Sequence, residues 1–163
     1  MGQRILLCGI YQTLKPIQVT GNKGTHEIPA GLLVQFHRHK DQPKPILLLP
    51  EKNTHNQWSF AKQVFLIEET ELHKALRELK AVGFYRVKEH FHVDEAQIIE
   101  KNSLVQLGYT KTAEPILFSP KPLKDLNGLS FTKSGLRIDN DVYQLLEALS
   151  IRGPFVPQKD KLH

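Results

Sequence analysis

The sequence predicts an α+β fold of two tandem β-rich modules, each an antiparallel, barrel-like or half-barrel sheet followed by one helix, packed together. Three observations carry this reading: the chain echoes itself at a separation of 70 to 71 residues, the hydrophobic period changes within each copy, and the composition is that of a globular protein. With 163 residues, 40% apolar and 24% charged, the chain can bury a core and is neither a disordered polyelectrolyte nor a fibre. Its apolar runs, Ile5 to Cys8 and Ile46 to Leu49, fall far short of the ~18 residues of a membrane span, so no membrane partner is expected. Cys8 is the single cysteine, which excludes an intramolecular disulfide and reads as a small buried hydrophobe in a reduced compartment. Met1 to Leu6 lacks a cleavable leader pattern, and Leu6 stands where an acylation signal wants Ser or Thr, so a cytoplasmic location is expected.

The echo is ordered. Leu33-Val34-Gln35 and Lys40 recur as Leu104-Val105-Gln106 and Lys111 at a separation of 71. Pro45-Ile46-Leu47 and Pro50 recur as Pro115-Ile116-Leu117 and Pro120 at 70. Ser59-Phe60, Lys62 and Ile67 match Ser130-Phe131, Lys133 and Ile138 at 71, and Leu76 and Leu79 match Leu146 and Leu149 at 70. Such a period is longer than that of common solenoid repeats, so two copies form tandem modules rather than an array.

The elements follow in order. Strands are expected at 4–11 and 32–37, then, after the Asp41-Gln42-Pro43 turn, at 46–49. A polar loop through Asn53 and Asn56 leads to strands at 58–60 and 64–67. Leu72, Ala75, Leu76, Leu79 and Val82 then recur at three and four, with Glu68, Glu69 and Glu71 before them and Gly83 after, which predicts a helix over about 69–82. The second copy offers strands at 84–93, 103–109, 115–118, 129–131 and 136–138. A helix over about 140–150 follows, capped by Asp139 or Asn140 and stopped by Gly153-Pro154. The first module holds about ten residues more, including the turn-rich Gly21-Asn22-Lys23-Gly24. The modules are therefore 1–82 and 83–152, with an extended tail at 153–163. Each unit has too small a core to stand comfortably alone.

The chemistry resides in the charge. Lys and Arg number 22 against 17 Asp and Glu, and residues 1–66 alone supply the net +5 with eight basic and three acidic side chains. Two basic groups stand out: His37, Arg38, His39, Lys40 and Lys44 in the first copy, and Arg86, Lys88, His90 and His92 in the second, with Lys111 at the place of Lys40. Lys and Arg neutralise phosphates or carboxylates, and Tyr85 or Tyr109 would stack on bases if exposed. The leading expectation is a non-enzymatic binding or adaptor protein whose partner is nucleic acid or an acidic protein surface, with copy one as the binder. Trp58 reads as a core anchor.

Competing readings come from other classes. His90-x-His92 and His37-x-His39 alternate on strands, so each pair would face one way, as a metal centre in a hydrolase or oxidase requires. Arg86 and Lys88 on the same side oppose a cation. A homodimer serving as a structural or inhibitor protein through an exposed sheet edge is the third reading. The sequence holds no nucleophile elbow, no Gly-x-Gly-x-x-Gly and no Walker loop, so no cofactor is called for.

Overall fold

In the computed structural model, which describes residues 5–67, 72–125 and 127–150, β-structure dominates: strands make up 48% and helix 6%. The first half runs β1 (Gly9–Thr13), β2 (Ile17–Gly21), β3 (Gly24–Ile28), β4 (Leu33–His37), β5 (Ile46–Leu48), β6 (Pro50–Thr54), β7 (Gln57–Phe60), β8 (Phe65–Leu66), α1 (Leu72–Ala75) and β9 (Leu76–Glu78). The second runs β10 (Gly83–Val87), β11 (Phe91–His92), β12 (Ile98–Ile99), β13 (Leu104–Tyr109), β14 (Pro115–Phe118), β15 (Pro120–Pro122), β16 (Leu129–Phe131), β17 (Leu136–Arg137), α2 (Asn140–Gln144) and β18 (Leu146–Ala148). Two open antiparallel sheets result, ordered β3-β2-β8-β5-β4-β1-β9 and β17-β14-β13-β10-β18, with hairpins β6–β7, β11–β12 and β15–β16 beside them.

Local chemistry accounts for these strands. In β2, Ile17 and Val19 are buried while Gln18 and Thr20 face solvent, and the strand turns into β3 at Gly24, whose φ of 105° only glycine adopts readily. The β6–β7 turn is the two residues His55 and Asn56, with φ of 52° and 65°, the double left-handed geometry that suits the twist of a tight hairpin. In β13 there is no alternation: Val105 through Tyr109 are all buried. One face of that strand lies on its own core and the other beneath the β6–β7 hairpin, as expected for a strand covered on both sides.

Five strands of the first sheet, β8-β5-β4-β1-β9, stand in the order of β17-β14-β13-β10-β18 in the second, while β3-β2 has no counterpart in that sheet. Gly9, Ile10 and Tyr11 pair with Phe36, Gln35 and Val34, as Gly83, Phe84 and Tyr85 pair with Leu107, Gln106 and Val105. The Tyr11 hydroxyl donates to the Leu7 carbonyl at 2.8 Å and the Tyr85 hydroxyl to the Ala81 carbonyl at 2.7 Å, four residues back in each case. The Leu79 N–H donates to the Ile10 carbonyl at 3.1 Å and the Leu149 N–H to that of Phe84 at 3.0 Å. Gly31 and Asn102, equivalent in this register, both have a left-handed backbone, with φ of 79° and 67°. The separation is 74 at Tyr11 and Tyr85 but 71 at Val34 and Val105, so the net length difference is three residues, not about ten.

Each half has its own core. One gathers Tyr11, Val34, Phe36, Leu47 and Phe65, and the other Tyr85, Val87, Val105, Leu107 and Leu117. The second core also takes Leu33, which is 1% exposed, and packs Trp58, Phe60 and Leu79 from the first half. The halves therefore join through apolar contact, with the Leu33 N–H donating to the Lys111 carbonyl at 2.9 Å.

Several expectations are corrected. Among the described residues the helices expected over 69–82 and 140–150 are limited to 72–75 and 140–144, each followed by a strand, so the fold is mostly β with two short helices, and of the barrel-like or half-barrel alternatives neither sheet is a closed barrel. Leu72, Ala75 and Leu76 are buried as the three-and-four spacing demands, but β9 then pairs with β1. That pairing satisfies backbone groups of β1 that a continued helix would leave exposed at the sheet edge. Asp139 does cap the second turn, accepting the Val142 N–H at 2.9 Å. The strand expected over 84–93 breaks between β10 and β11, and the polar loop at 51–57 is mostly strand β6. Cys8 is exposed rather than buried. The acidic run at 68–71 and the tail at 153–163 lie outside the described residues.

Candidate functional site

The loop between β4 and β5 carries the first basic group. His37, at the end of β4, is half-buried and its ring meets that of His39 edge-on at 4.3 Å between centroids. Arg38, His39, Lys40 and Lys44 are exposed. The Arg38 N–H points to Cys8 Sγ at 3.4 Å, which fixes the loop's first residue against the segment leading into β1. A short strand pair thus presents a compact cationic loop at one end of the first sheet.

The second group lies in the other sheet and is less available. Arg86 is engaged by Glu147 on the neighbouring β18, through Nε at 3.2 Å and through Nη2. This guanidinium holds the Glu147 carboxyl below its usual range. Lys88 is exposed, as are His90 and His92 on either side of buried Phe91, their rings 6.4 Å apart. Lys111 is exposed on the β13–β14 turn at the join of the halves. The sequence-predicted residues therefore fall on three segments: the β4–β5 loop, β10 with the stretch through β11, and the β13–β14 turn. Among the described residues no three His, Cys, Asp or Glu side chains converge as metal ligands, so each His pair lacks a third donor there.

The aromatic rings proposed for stacking are inside. Tyr85 is 5% and Tyr109 2% exposed. Burial, with the nearby Tyr143, pushes the Tyr85 hydroxyl up, and burial followed by the hydrogen bond from Tyr143 pushes Tyr109 far up. These hydroxyls stay protonated and serve as donors.

A polar knot at the join was missed by sequence reasoning. The Tyr109 hydroxyl donates to the Lys80 carbonyl at 2.7 Å, and the Lys80 N–H donates to the Tyr143 hydroxyl at 2.7 Å. The two hydroxyls are 2.9 Å apart, so Tyr143 must donate to Tyr109, whose own proton is already committed. Lys80 Nζ donates to the Leu146 carbonyl at 3.0 Å and lies over the Tyr143 ring at 5.3 Å. Its pKa is lowered by burial and by Lys88. A cavity of about 270 Å³ opens beside this knot between Arg77, Tyr109, Ile138 and Tyr143. No sequence signal marked it, because Lys80 reads as a helix residue and the tyrosines as separate core aromatics.

Trp58 is the other element of the join. Its Nε1–H donates to the Tyr109 carbonyl at 2.7 Å, and Asn56 Nδ2 donates to Gln106 Oε1 at 3.1 Å. The expected core anchor thus packs, half-buried, against the core of the other half. Among the described residues no helix is long and apolar enough to cross a membrane. No protein-family model, curated protein or solved structure matches the chain.

Proposed function

We propose that the chain is a non-catalytic adaptor made from a duplicated β-unit, with modules at 1–82 and 83–152, whose first copy binds an acidic protein segment. Matching register and matching hydrogen bonds in the two sheets support the duplication. One observation favours an acidic protein over nucleic acid: the cations Arg38, Lys40 and Lys44 are exposed on one loop, while Tyr85 and Tyr109, needed to stack on bases, are buried. Arg86 is also committed to Glu147. The loop at 38–45 is the contact surface, and Lys88, His90, His92 and Lys111 belong to other segments.

The test is anisotropy of a labelled poly-glutamate peptide and of a single-stranded oligonucleotide, each titrated with the full chain at low and high salt. Peptide binding that weakens roughly three- to tenfold in an Arg38→Ala/Lys40→Ala double variant is expected, since exposed ion pairs contribute up to about 1 kcal/mol each. Tighter oligonucleotide binding with a steep salt slope would replace this reading with the nucleic-acid one. Binding of neither overturns both.

A further inference from the structure

We propose that the groove between the β6–β7 and β15–β16 hairpins is a binding site for a neutral oligosaccharide, separate from the cationic loop at 38–45. The groove holds about 670 Å³, within the roughly 300–1,000 Å³ of small-ligand sites, and Gln106 of β13 lines it between the two hairpins. Asn53, Asn56, Gln57 and Gln106 bring four side-chain amides, and Ser130 and Thr132 bring two hydroxyls. Among the described residues of the lining, Lys133 is the single Lys or Arg and no carboxylate is present. An amide sets a donor beside an acceptor, which matches the adjacent hydroxyls of a sugar, each of them both donor and acceptor. A nucleic-acid backbone calls for several cations, and a peptide for apolar pockets, whereas Phe131 is the one apolar residue of the lining.

Gln106 is the residue that asks for a ligand. It is 7% exposed, and its Oε1 accepts the Asn56 Nδ2–H at 3.1 Å. Its Nε2 is not sealed within the chain and opens on the groove, where among the described residues nothing accepts from it. A donor so placed is costly unless water or a ligand accepts from it, and a sugar hydroxyl can take over from the water.

Both walls are set before a ligand arrives. In the β6–β7 turn, His55 and Asn56 hold left-handed φ of 52° and 65°, and a Cβ at Gly108 would lie only 3.2 Å from the Asn56 carbonyl oxygen. The turn is thus seated closely on β13, with the Asn56 amide fixed beside Gln106, which lowers the ordering cost of binding. On the other wall the half-buried Phe131 ring leans on that of Phe84, with centroids 5.3 Å apart and planes tilted by 36°. A braced aromatic ring offers its electron-rich face to the C–H face of a pyranose and leaves the sugar's hydroxyls to the amides.

The test is amide NMR of the isotope-labelled full chain titrated with maltohexaose, cellohexaose and N-acetylchitohexaose, each to about 10 mM, which saturates sites as weak as about 1 mM. At least one of them is expected to move the side-chain amide signals of Asn53, Asn56, Gln57 and Gln106, with the same affinity at low and high salt because no ion pair forms. Phe131→Ala should weaken binding roughly tenfold, and Gln57→Ala roughly three- to tenfold. Gln57 is exposed, so its replacement leaves the fold alone, and circular dichroism checks Phe131→Ala. The Arg38→Ala/Lys40→Ala variant, which weakens acidic-peptide binding, should bind the sugar as the wild type does, so this proposal and the adaptor reading fail separately. No response to any of the three sugars overturns the proposal, as do responses confined to residues outside the groove or affinities that Phe131→Ala and Gln57→Ala leave unchanged. A single-stranded oligonucleotide that moves the same amides with a steep salt slope, where the sugars do not, gives the groove to nucleic acid instead.

Discussion

Replacing Trp58 separates the join between the halves from the stability of either sheet. Its ring is half-buried against the second core, and its Nε1–H meets the Tyr109 carbonyl at 2.7 Å. A fully buried Trp→Ala change costs about 3–5 kcal/mol, so half that burial gives about 2 kcal/mol. Losing the hydrogen bond to a carbonyl in a buried strand adds about 1 kcal/mol. Trp58→Ala should therefore cost about 3 kcal/mol, and Trp58→Phe, which keeps the ring and removes the donor, about 1 kcal/mol. With a urea m-value of about 2 kcal/mol/M, the unfolding midpoint should fall by about 1.5 M and about 0.5 M respectively. Urea titration followed by far-ultraviolet circular dichroism measures both, since Trp58 is the single tryptophan and fluorescence is lost with it. Hydrogen exchange should quicken in β7 and in β13 together, because the contact spans the halves. A Trp58→Ala midpoint within ~0.2 M of wild type, or equal losses for the two variants, would refute the argument.

Tyr143→Phe deprives the Lys80 N–H and the Tyr109 hydroxyl of a partner and should cost about 1–3 kcal/mol, read as a fall in thermal midpoint. Gly135→Ala places a Cβ 2.0 Å from Ile116 and 2.8 Å from Phe118, an overpacking of about 1–3 kcal/mol, while Gly9→Ala, with its nearest neighbour at 3.9 Å, should fall within about 1 kcal/mol of wild type. The Glu147 carboxyl is held below its unfolded pKa by Arg86, so the pair's contribution is present above the usual carboxylate range and lost as pH falls through and below it. Glu147→Gln should remove that step from an acid-unfolding titration. Cys8, exposed in the folded chain, should react with a thiol reagent without denaturant.

Much of the sheet was legible because residues separated by two share an environment. Leu33, Val34 and Phe36, or Leu117 and Phe118, declare strands through burial alone. The β2 strand is equally readable from Ile17 and Val19 alternating with Gln18 and Thr20. The helices misled for a different reason. Leu72, Ala75, Leu76 and Leu79 satisfy a helical spacing whether or not the backbone stays helical, and the competing demand comes from the edge of β1, whose Tyr11 and Thr13 pair with Glu78 and Leu76 across 67 and 63 residues, far outside that window. In the candidate site, the exposure of Arg38 and Lys40 follows from the turn beside them. The burial of Tyr85 and Tyr109 and the capture of Arg86 by Glu147 depend on strands that a local window does not contain.

Two halves with one plan need not be interchangeable, and the reason lies in what each central strand meets. β13 is buried along both faces because a hairpin lies across it, and there it carries Gly108, whose missing Cβ makes room for the Asn56 carbonyl. β4 has corresponding neighbours in its sheet but is covered by the second half at Leu33, and ends in half-buried His37 followed by a cationic loop. A unit of about 75 residues buries too little apolar surface to be robust alone. Leu33, Trp58 and Phe60 of the first half therefore complete the core of the second. The second half is thus committed to holding the first, and its own hairpin is relieved of that task.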